Sequence, residues 1–123
     1  MPIVNKILIA DDDSEMRESL ASLLEDSGYK VIRAEDGEEA VEMAAKELPS
    51  LIMLDIHMPK MDGLKACKAI KSNPVTKPIP VVMLTVEGSI AEIRQAIGYG
   101  ASTYITKPSS KEEILKVVKN ILY

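Results

Sequence analysis

The feature that most constrains the fold is a short run in which every residue is apolar, at positions 51–54. A strand with one face in solvent alternates apolar and polar residues, so a continuous run predicts a strand buried on both faces, as in a parallel sheet. The run ends at Asp55, which would lie at the carboxyl edge of the sheet, where open α/β sheets bind ligands. Asp62 is the expected N-cap of the next helix.

Similar segments recur along the chain and alternate with helical patterns. Further strands are expected at residues 6–10, 29–34, 80–85 and 102–106, and helices at 14–26, 36–48, 63–72, 89–97 and 110–122. This alternation predicts a flavodoxin-like, doubly wound (βα)5 fold with a five-stranded parallel sheet. The second strand carries Lys30 and Arg33, which suits an edge position and the strand order 2-1-3-4-5. In the fourth helix, the spacing aligns Ile90, Ile93 and Ile97 on one side.

Composition narrows the class of protein. A chain of 123 residues is expected to form a single domain, over residues 1–123. The net charge of −4 argues against direct binding to nucleic acid, and no apolar run is long enough for a membrane span. A single cysteine and the lack of a secretory signal favour a cytoplasmic location. Cys67 falls on the inner side of a predicted helix, which favours core packing.

Polar residues follow four of the predicted strands. Asp11 and Asp12 end the first strand, Asp55 the third, Thr85 the fourth and Lys107 the fifth. All these ends meet at one edge of a parallel sheet. Two carboxylates about 4 Å apart repel by roughly 4 kcal/mol at an effective dielectric of 20, so such a cluster requires a cation. All-oxygen ligands with room for water suit Mg²⁺, and Mn²⁺ could substitute for it.

The same residues suit phosphoryl transfer. Asp55 could attack a phosphorus atom whose oxygens the metal and Lys107 neutralise, while Thr85 donates a hydroxyl hydrogen bond. Each residue also has an ordinary interpretation, since Asp11 and Asp12 could belong to a helix cap and Asp55 could merely begin a loop. Their joint placement at the strand ends favours a site. His57 lacks a second histidine or cysteine at ligand spacing, which argues against zinc.

Four motifs in order carry a family resemblance over nearly the whole chain. The chain resembles the receiver domains of bacterial two-component response regulators, above all the short, stand-alone type typified by the chemotaxis regulator. The motifs are Ile-Leu-Ile-Ala-Asp11-Asp12, Leu-Asp55-Ile-His-Met-Pro59-Lys-Met-Asp-Gly63, Val-Val-Met-Leu-Thr85 and Gly100-Ala-Ser-Thr-Tyr104-Ile-Thr-Lys107-Pro108.

The resemblance implies a phosphoacceptor and a metal site. Asp55 matches the phosphoacceptor, and the implied donor is a phosphohistidine on a sensor histidine kinase or phosphotransfer protein. Asp11 and Asp12 match the acidic pair that holds Mg²⁺ together with Asp55. The backbone carbonyl of His57 would be a further ligand.

The resemblance also implies a switch. Thr85 and Lys107 match the residues that bind the phosphoryl group, and Tyr104 matches the aromatic residue that turns inward when Thr85 moves. The output face would comprise the fourth helix, the fifth strand and the last helix. It would bind a downstream protein, and the chain would be a monomer that could dimerise when phosphorylated. The Lys107–Pro108 bond is expected to be cis.

Three positions depart from the usual pattern. Ser109 stands where a bulky aromatic residue often follows the Lys-Pro pair. Val86 stands where the family mostly has a small residue, and His57 is an uncommon choice two positions after the phosphoacceptor. Both are expected to modulate access to phosphorus. For Val86 the reason is that a β-branched side chain cannot easily swing aside.

Two other classes of protein stay open from the sequence. A phosphatase of the haloacid-dehalogenase type also forms an aspartyl phosphate, but its nucleophile follows the first strand and it has a cap domain. A binding module or flavin carrier could use the same fold, although the acidic turn after the first strand would repel a flavin phosphate. The resemblance instead implies a signalling domain that acts catalytically only on its own phosphorylation and dephosphorylation.

Overall fold

A computed structural model describes residues 4–86, 90–107 and 109–122, in which strands and helices alternate strictly. The strands are β1 (Lys6–Ala10), β2 (Lys30–Ala34), β3 (Leu51–Asp55), β4 (Val81–Val86) and β5 (Thr103–Lys107). The helices are α1 (Ser14–Asp26), α2 (Gly37–Glu47), α3 (Gly63–Ser72), α4 (Ile90–Tyr99) and α5 (Lys111–Leu122). The predicted bounds of the strands and helices are close to the observed ones, but β4 and β5 each begin and end one residue later than expected. Ser89 and the predicted cis bond at Pro108 lie outside the described residues.

The five strands form one parallel sheet in the order β2-β1-β3-β4-β5, which confirms the flavodoxin-like prediction. β2 is an edge strand, as its charged residues indicated. The register aligns the strand ends: Ala10 pairs with Leu54, and Val86 pairs with Lys107. Residues that end neighbouring strands are therefore brought to the same edge.

The central strand shows why its sequence is apolar throughout. Ile52 and Leu54 belong to the core beneath α2, α3 and α4, whereas Leu51 and Met53 belong to the core beneath α1 and α5. All four side chains are completely buried. Burial of one such side chain contributes about 1.5–3 kcal/mol, so neither face of β3 tolerates a polar residue.

Short polar side chains cap the start of three helices, α2, α3 and α5, and Asp62 is the N-cap that the sequence predicted. Asp36 accepts the backbone N–H of Glu39 at 2.8 Å, and Asp62 accepts that of Lys65 at 2.9 Å. Ser110 accepts the N–H of Glu113 at 3.1 Å, as in a capping box. Such caps are each worth about 1 kcal/mol.

In the fourth helix, the aligned residues Ile90 and Ile97 lie largely in solvent. Ile90 is 63% exposed and Ile97 is 46% exposed, while Ala96 is fully buried. α4 packs on α3, where the carbonyl of Ala96 lies 4.0 Å from the Cys67 sulfur. Small residues thus form this contact, while Ile90 and Ile97 lie largely in solvent. No helix in the described ranges has the length and apolar character needed to cross a membrane.

Candidate phosphorylation site

Three carboxylates meet at the carboxyl edge of the sheet. Asp11 and Asp12 follow β1, Asp55 ends β3, and one oxygen of each lies within 4.8 Å of the others. Asp11 is buried, Asp55 is half-buried and Asp12 is exposed. The next residue, Asp13, caps α1 by accepting the backbone N–H of Glu15 at 3.0 Å. The cap is therefore made by Asp13, and Asp11 and Asp12 belong to the cluster.

Lys107 reaches this cluster from the outer strand β5. Its Nζ lies 2.7 Å from Asp11 Oδ2 and 3.5 Å from Asp55 Oδ1. Burial favours the neutral amine, but the hydrogen bond to Asp11 and the charge of Asp55 raise the pKa of Lys107 overall. The lysine is therefore charged throughout the physiological range and offsets part of the repulsion among the carboxylates.

Asp55 has a strongly perturbed acidity. Burial, reinforced by the charge of Asp11, raises its pKa to about 6, against the lowering effect of Lys107. The side chain is thus ionised at neutral pH but more basic than an ordinary aspartate. Higher basicity favours a carboxylate as a nucleophile, and perturbed values of this kind cluster at functional sites.

Tight backbone packing holds Asp55 in place. The N–H of Gly63 donates to the carbonyl of Ile56 at 2.7 Å, which folds the loop after β3 back on itself. A Cβ atom added at Gly63 would lie 2.1 Å from the Asp55 carbonyl oxygen, and one at Gly37 would lie 2.0 Å from that of Met61. Only glycine fits at these two positions.

Of the other predicted switch residues, Thr85 lies at the same edge of the sheet, whereas Tyr104 lies near the start of β5, beside Met83 of β4. Thr85 is buried, and its hydroxyl donates to the carbonyl of Val86 at 3.2 Å. Tyr104 is 46% exposed, so its ring lies outward from the core. The inward movement of Tyr104 stays a prediction.

The two access positions are both on the surface. Val86 is 53% exposed, so it is not a packed core residue. The imidazole Nε2 of His57 lies 3.5 Å from the carboxylate of Glu92, in the first turn of α4. The side chain of His57 therefore contacts α4, and the role of its carbonyl as a metal ligand stays a prediction.

Sequence reasoning missed Arg17. Its Nη1 donates to the backbone carbonyl of Asp11 at 2.8 Å. A signal was present, because helical side chains point towards the N-terminus, and Arg17 lies four residues after the Asp13 cap.

The cluster fits a divalent cation. Its donors are oxygens, as Mg²⁺ prefers, and the exposure of Asp12 leaves room for the waters that Mg²⁺ retains. Lys107 supplies only part of the neutralising charge. The arrangement can hold a cation beside a nucleophilic carboxylate.

Comparison with known proteins agrees with this geometry. Residues 7–119 match the sequence model of the response regulator receiver domain. Response regulator MprA of Mycobacterium leprae (strain TN) is 38% identical over 117 residues, which cover 95% of this chain and 50% of MprA. The chain spans about half the length of the curated relatives it matches.

Solved structures show the same relationship. Chemotaxis protein CheY4 of Vibrio cholerae is 33% identical with a TM-score of 0.91, over 98% of this chain and 100% of that one. The signal receiver domain of a histidine kinase from Syntrophus aciditrophicus is 34% identical with a TM-score of 0.89, over 97% and 90%. With its matching sequence, sheet order and acidic strand ends, this chain belongs to the response regulator receiver domain family.

Proposed function

We propose that Asp55 accepts a phosphoryl group from a phosphohistidine on a sensor histidine kinase or phosphotransfer protein, and that the reaction depends on Mg²⁺. The observation that carries the proposal is the meeting of three carboxylates within 4.8 Å beside the Lys107 ammonium. Asp11, Asp12 and Asp55 would hold the metal, together with the carbonyl of His57. Mn²⁺ could replace Mg²⁺.

The chemistry follows from the positions of the side chains. An oxygen of Asp55 forms the new bond to phosphorus as the phosphorus–nitrogen bond of the donor breaks, and the imidazole leaves with the bonding pair. Mg²⁺, when bound, supplies positive charge for the phosphoryl oxygens. Lys107 must exchange its contacts with Asp11 and Asp55 for the phosphoryl oxygens, and Thr85 must exchange its bond to the Val86 carbonyl.

The energy available for a switch can be compared with what a two-state change requires. Moving an equilibrium from about 1:99 to about 99:1 requires roughly 5.5 kcal/mol of differential interaction. Charge-assisted hydrogen bonds give about 1.5–3 kcal/mol each. New contacts from Thr85 and Lys107, with inward movement of Tyr104, are therefore about enough for a full switch, and partial switching is equally allowed.

The output surface would be α4, β5 and α5. Its support is the exposure of Ile90, Ile97 and Tyr104, whose apolar surface a protein partner would cover. We infer a downstream protein target, no direct contact with nucleic acid or membrane, and a cytoplasmic monomer that could dimerise when phosphorylated. The 123 residues would act as one receiver domain, catalytic only towards its own phosphoryl group.

Phosphoryl uptake tests the proposal directly. Intact-mass spectrometry after incubation with acetyl phosphate and Mg²⁺ should show one labile adduct in the wild type. The adduct should be absent from Asp55→Asn and after addition of EDTA. Replacement of the exposed Glu42 by glutamine removes the same charge on α2 and should leave the yield unchanged. An adduct of equal yield in Asp55→Asn would overturn the assignment.

Amide chemical shifts test the output surface. Beryllofluoride, a mimic of the phosphoryl group, should move the resonances of α4, β5 and α5. Changes confined to α1 and α2 would contradict this part of the proposal.

A further inference from the structure

We propose that Arg17 is a positioning residue for the metal site, because it fixes the peptide that joins Asp11 to Asp12. This inference rests on the proposed function, which assigns both carboxylates to the metal. The guanidinium Nη1 donates to the Asp11 carbonyl at 2.8 Å, and the side chain of Arg17 is only 11% exposed. The contact is therefore shielded from competing water.

The other polar groups of Asp11, its backbone N–H and its two carboxylate oxygens, are all hydrogen-bonded. Its N–H donates to the carbonyl of Ala34 at 3.2 Å, which continues the pairing of β1 with β2. Its Oδ1 accepts the N–H of Asp13 at 3.0 Å, and its Oδ2 accepts a bond from Lys107 at 2.7 Å. The contact with Arg17 completes the set.

Among these groups, the backbone carbonyl of Asp11 bears most directly on the path of the chain towards Asp12. It belongs to the same planar peptide unit as the N–H of Asp12, so fixing its direction fixes the direction in which the chain leaves towards Asp12. The Asp12 side chain is exposed and has little packing to orient it. Arg17 therefore sets the angle between the two carboxylates that would share the cation.

The charge of Arg17 could oppose this effect, because a cation near a metal site lowers affinity for the metal. Two carboxylates lie close to the guanidinium, however: Glu18 at 3.8 Å from Nε and Glu35 at 3.9 Å from Nη2. They offset part of its field, although Glu18 lies closer to Arg33, at 2.9 Å. Positioning should therefore outweigh repulsion, and the two effects predict opposite changes when the arginine is removed.

A titration with MgCl₂, followed by amide chemical shifts, measures the dissociation constant in four proteins. These are the wild type, Arg17→Met, Arg17→Lys and Arg33→Met. Arg33 is the matched control, because it also links α1 to β2 through carboxylates, at 2.9 Å from Glu18 and 3.1 Å from Glu25. The carbonyl carbon shift of Asp11 reports in parallel whether its hydrogen bond is present.

Loss of the partner of a metal-binding residue typically costs about 10–100-fold in affinity. We expect Arg17→Met to bind Mg²⁺ about tenfold more weakly, with an upfield shift of the Asp11 carbonyl carbon. Arg17→Lys, which keeps the charge and one donor, should show a smaller loss of both. Arg33→Met should stay within about twofold of the wild type, even if its stability falls.

Equal or tighter binding by Arg17→Met would overturn the inference, since a structural role or simple repulsion would then suffice. If Arg17→Met does not fold, Arg17→Lys decides: an upfield carbonyl shift with unchanged affinity overturns the inference. Failure of the wild type itself to bind Mg²⁺ would instead overturn the metal site of the proposed function.

Discussion

Replacement of Asp55 by asparagine should stabilise the folded protein at neutral pH, although it removes the proposed phosphoacceptor. The pKa of Asp55 is raised from 3.8 to about 6, chiefly by burial. Its ionised form is thus less favourable in the folded state than in the unfolded chain. Asparagine has nearly the same shape and no charge, so it removes that penalty.

The size of this stabilisation follows from the difference in the pKa of Asp55 between the folded and unfolded states. A difference of about 6 − 3.8 ≈ 2.2 pKa units, at 1.36 kcal/mol per unit, gives about 3 kcal/mol as an upper bound. The sign is also fixed. Because the folded pKa is the higher one, the folded protein binds more protons than the unfolded chain between about pH 4 and 6, so stability falls as pH rises through this window. Above this pH window, the ionised Asp55 lowers the unfolding free energy by its full amount.

Urea unfolding of wild type and Asp55→Asn, across about pH 4 to 7.5 without metal, measures the effect. The difference in unfolding free energy should be near zero at the acid end and grow to about 1–3 kcal/mol at neutral pH. Glu42→Gln, which removes an exposed charge elsewhere, should show no such growth. A difference that is independent of pH would refute the reasoning, because it would show that packing, not ionisation, separates the two proteins. Mg²⁺ should shrink the gap by stabilising the wild type.

The remaining predictions concern Gly63 at the start of α3, the protonation of Asp55, the Lys107 ammonium and the side chain of Val86. Gly63→Ala should lower the unfolding free energy by about 3 kcal/mol, because its Cβ would meet the Asp55 carbonyl oxygen at 2.1 Å. Gly98→Ala, a control in open space on α4, should instead raise the unfolding free energy by about 0.5–1 kcal/mol. Urea unfolding measures both. Phosphoryl uptake from acetyl phosphate should fall as pH drops through the range in which Asp55 gains a proton, which is about 6 without metal and lower once Mg²⁺ is bound. A profile that stays flat into the acid range would contradict this. Lys107→Ala should slow uptake at least about tenfold in the mass-spectrometric assay, while equal rates would remove the lysine from the mechanism. Val86→Ala should both gain and lose phosphoryl faster in pulse-labelling, and adduct lifetimes that agree within about twofold would mean that Val86 does not gate access.

The sequence predicted the sheet and the meeting of Asp11, Asp55 and Lys107, because both follow from a simple rule. Continuous apolar runs make parallel strands, and parallel strands bring their ends together. The packing of α4 could not be predicted by the same rule. Spacing aligned Ile90 with Ile97, but it could not show that α4 packs on α3 through Ala96 and leaves both isoleucines in solvent.

Arg17 was missed for a related reason. Its proposed role depends on a backbone carbonyl. The place of Arg17 four residues after the Asp13 cap indicates that its side chain points towards the start of the helix, but it does not indicate which acceptor the side chain meets. Carboxylate clusters are visible in a sequence because their members share a residue type. The groups that orient them become visible only when the chain is folded.

The bond between Lys107 and Asp11 has a consequence for the order of folding. It joins residues that are 96 positions apart in a chain of 123. Contacts of such high sequence separation are entropically costly to form early, so this one should form after the folding barrier has been crossed. Interactions absent from the transition state govern the unfolding rate and leave the folding rate nearly unchanged. Withdrawal of Lys107 from Asp11 by a phosphoryl group should therefore alter how long the native state persists, independently of how fast it is reached.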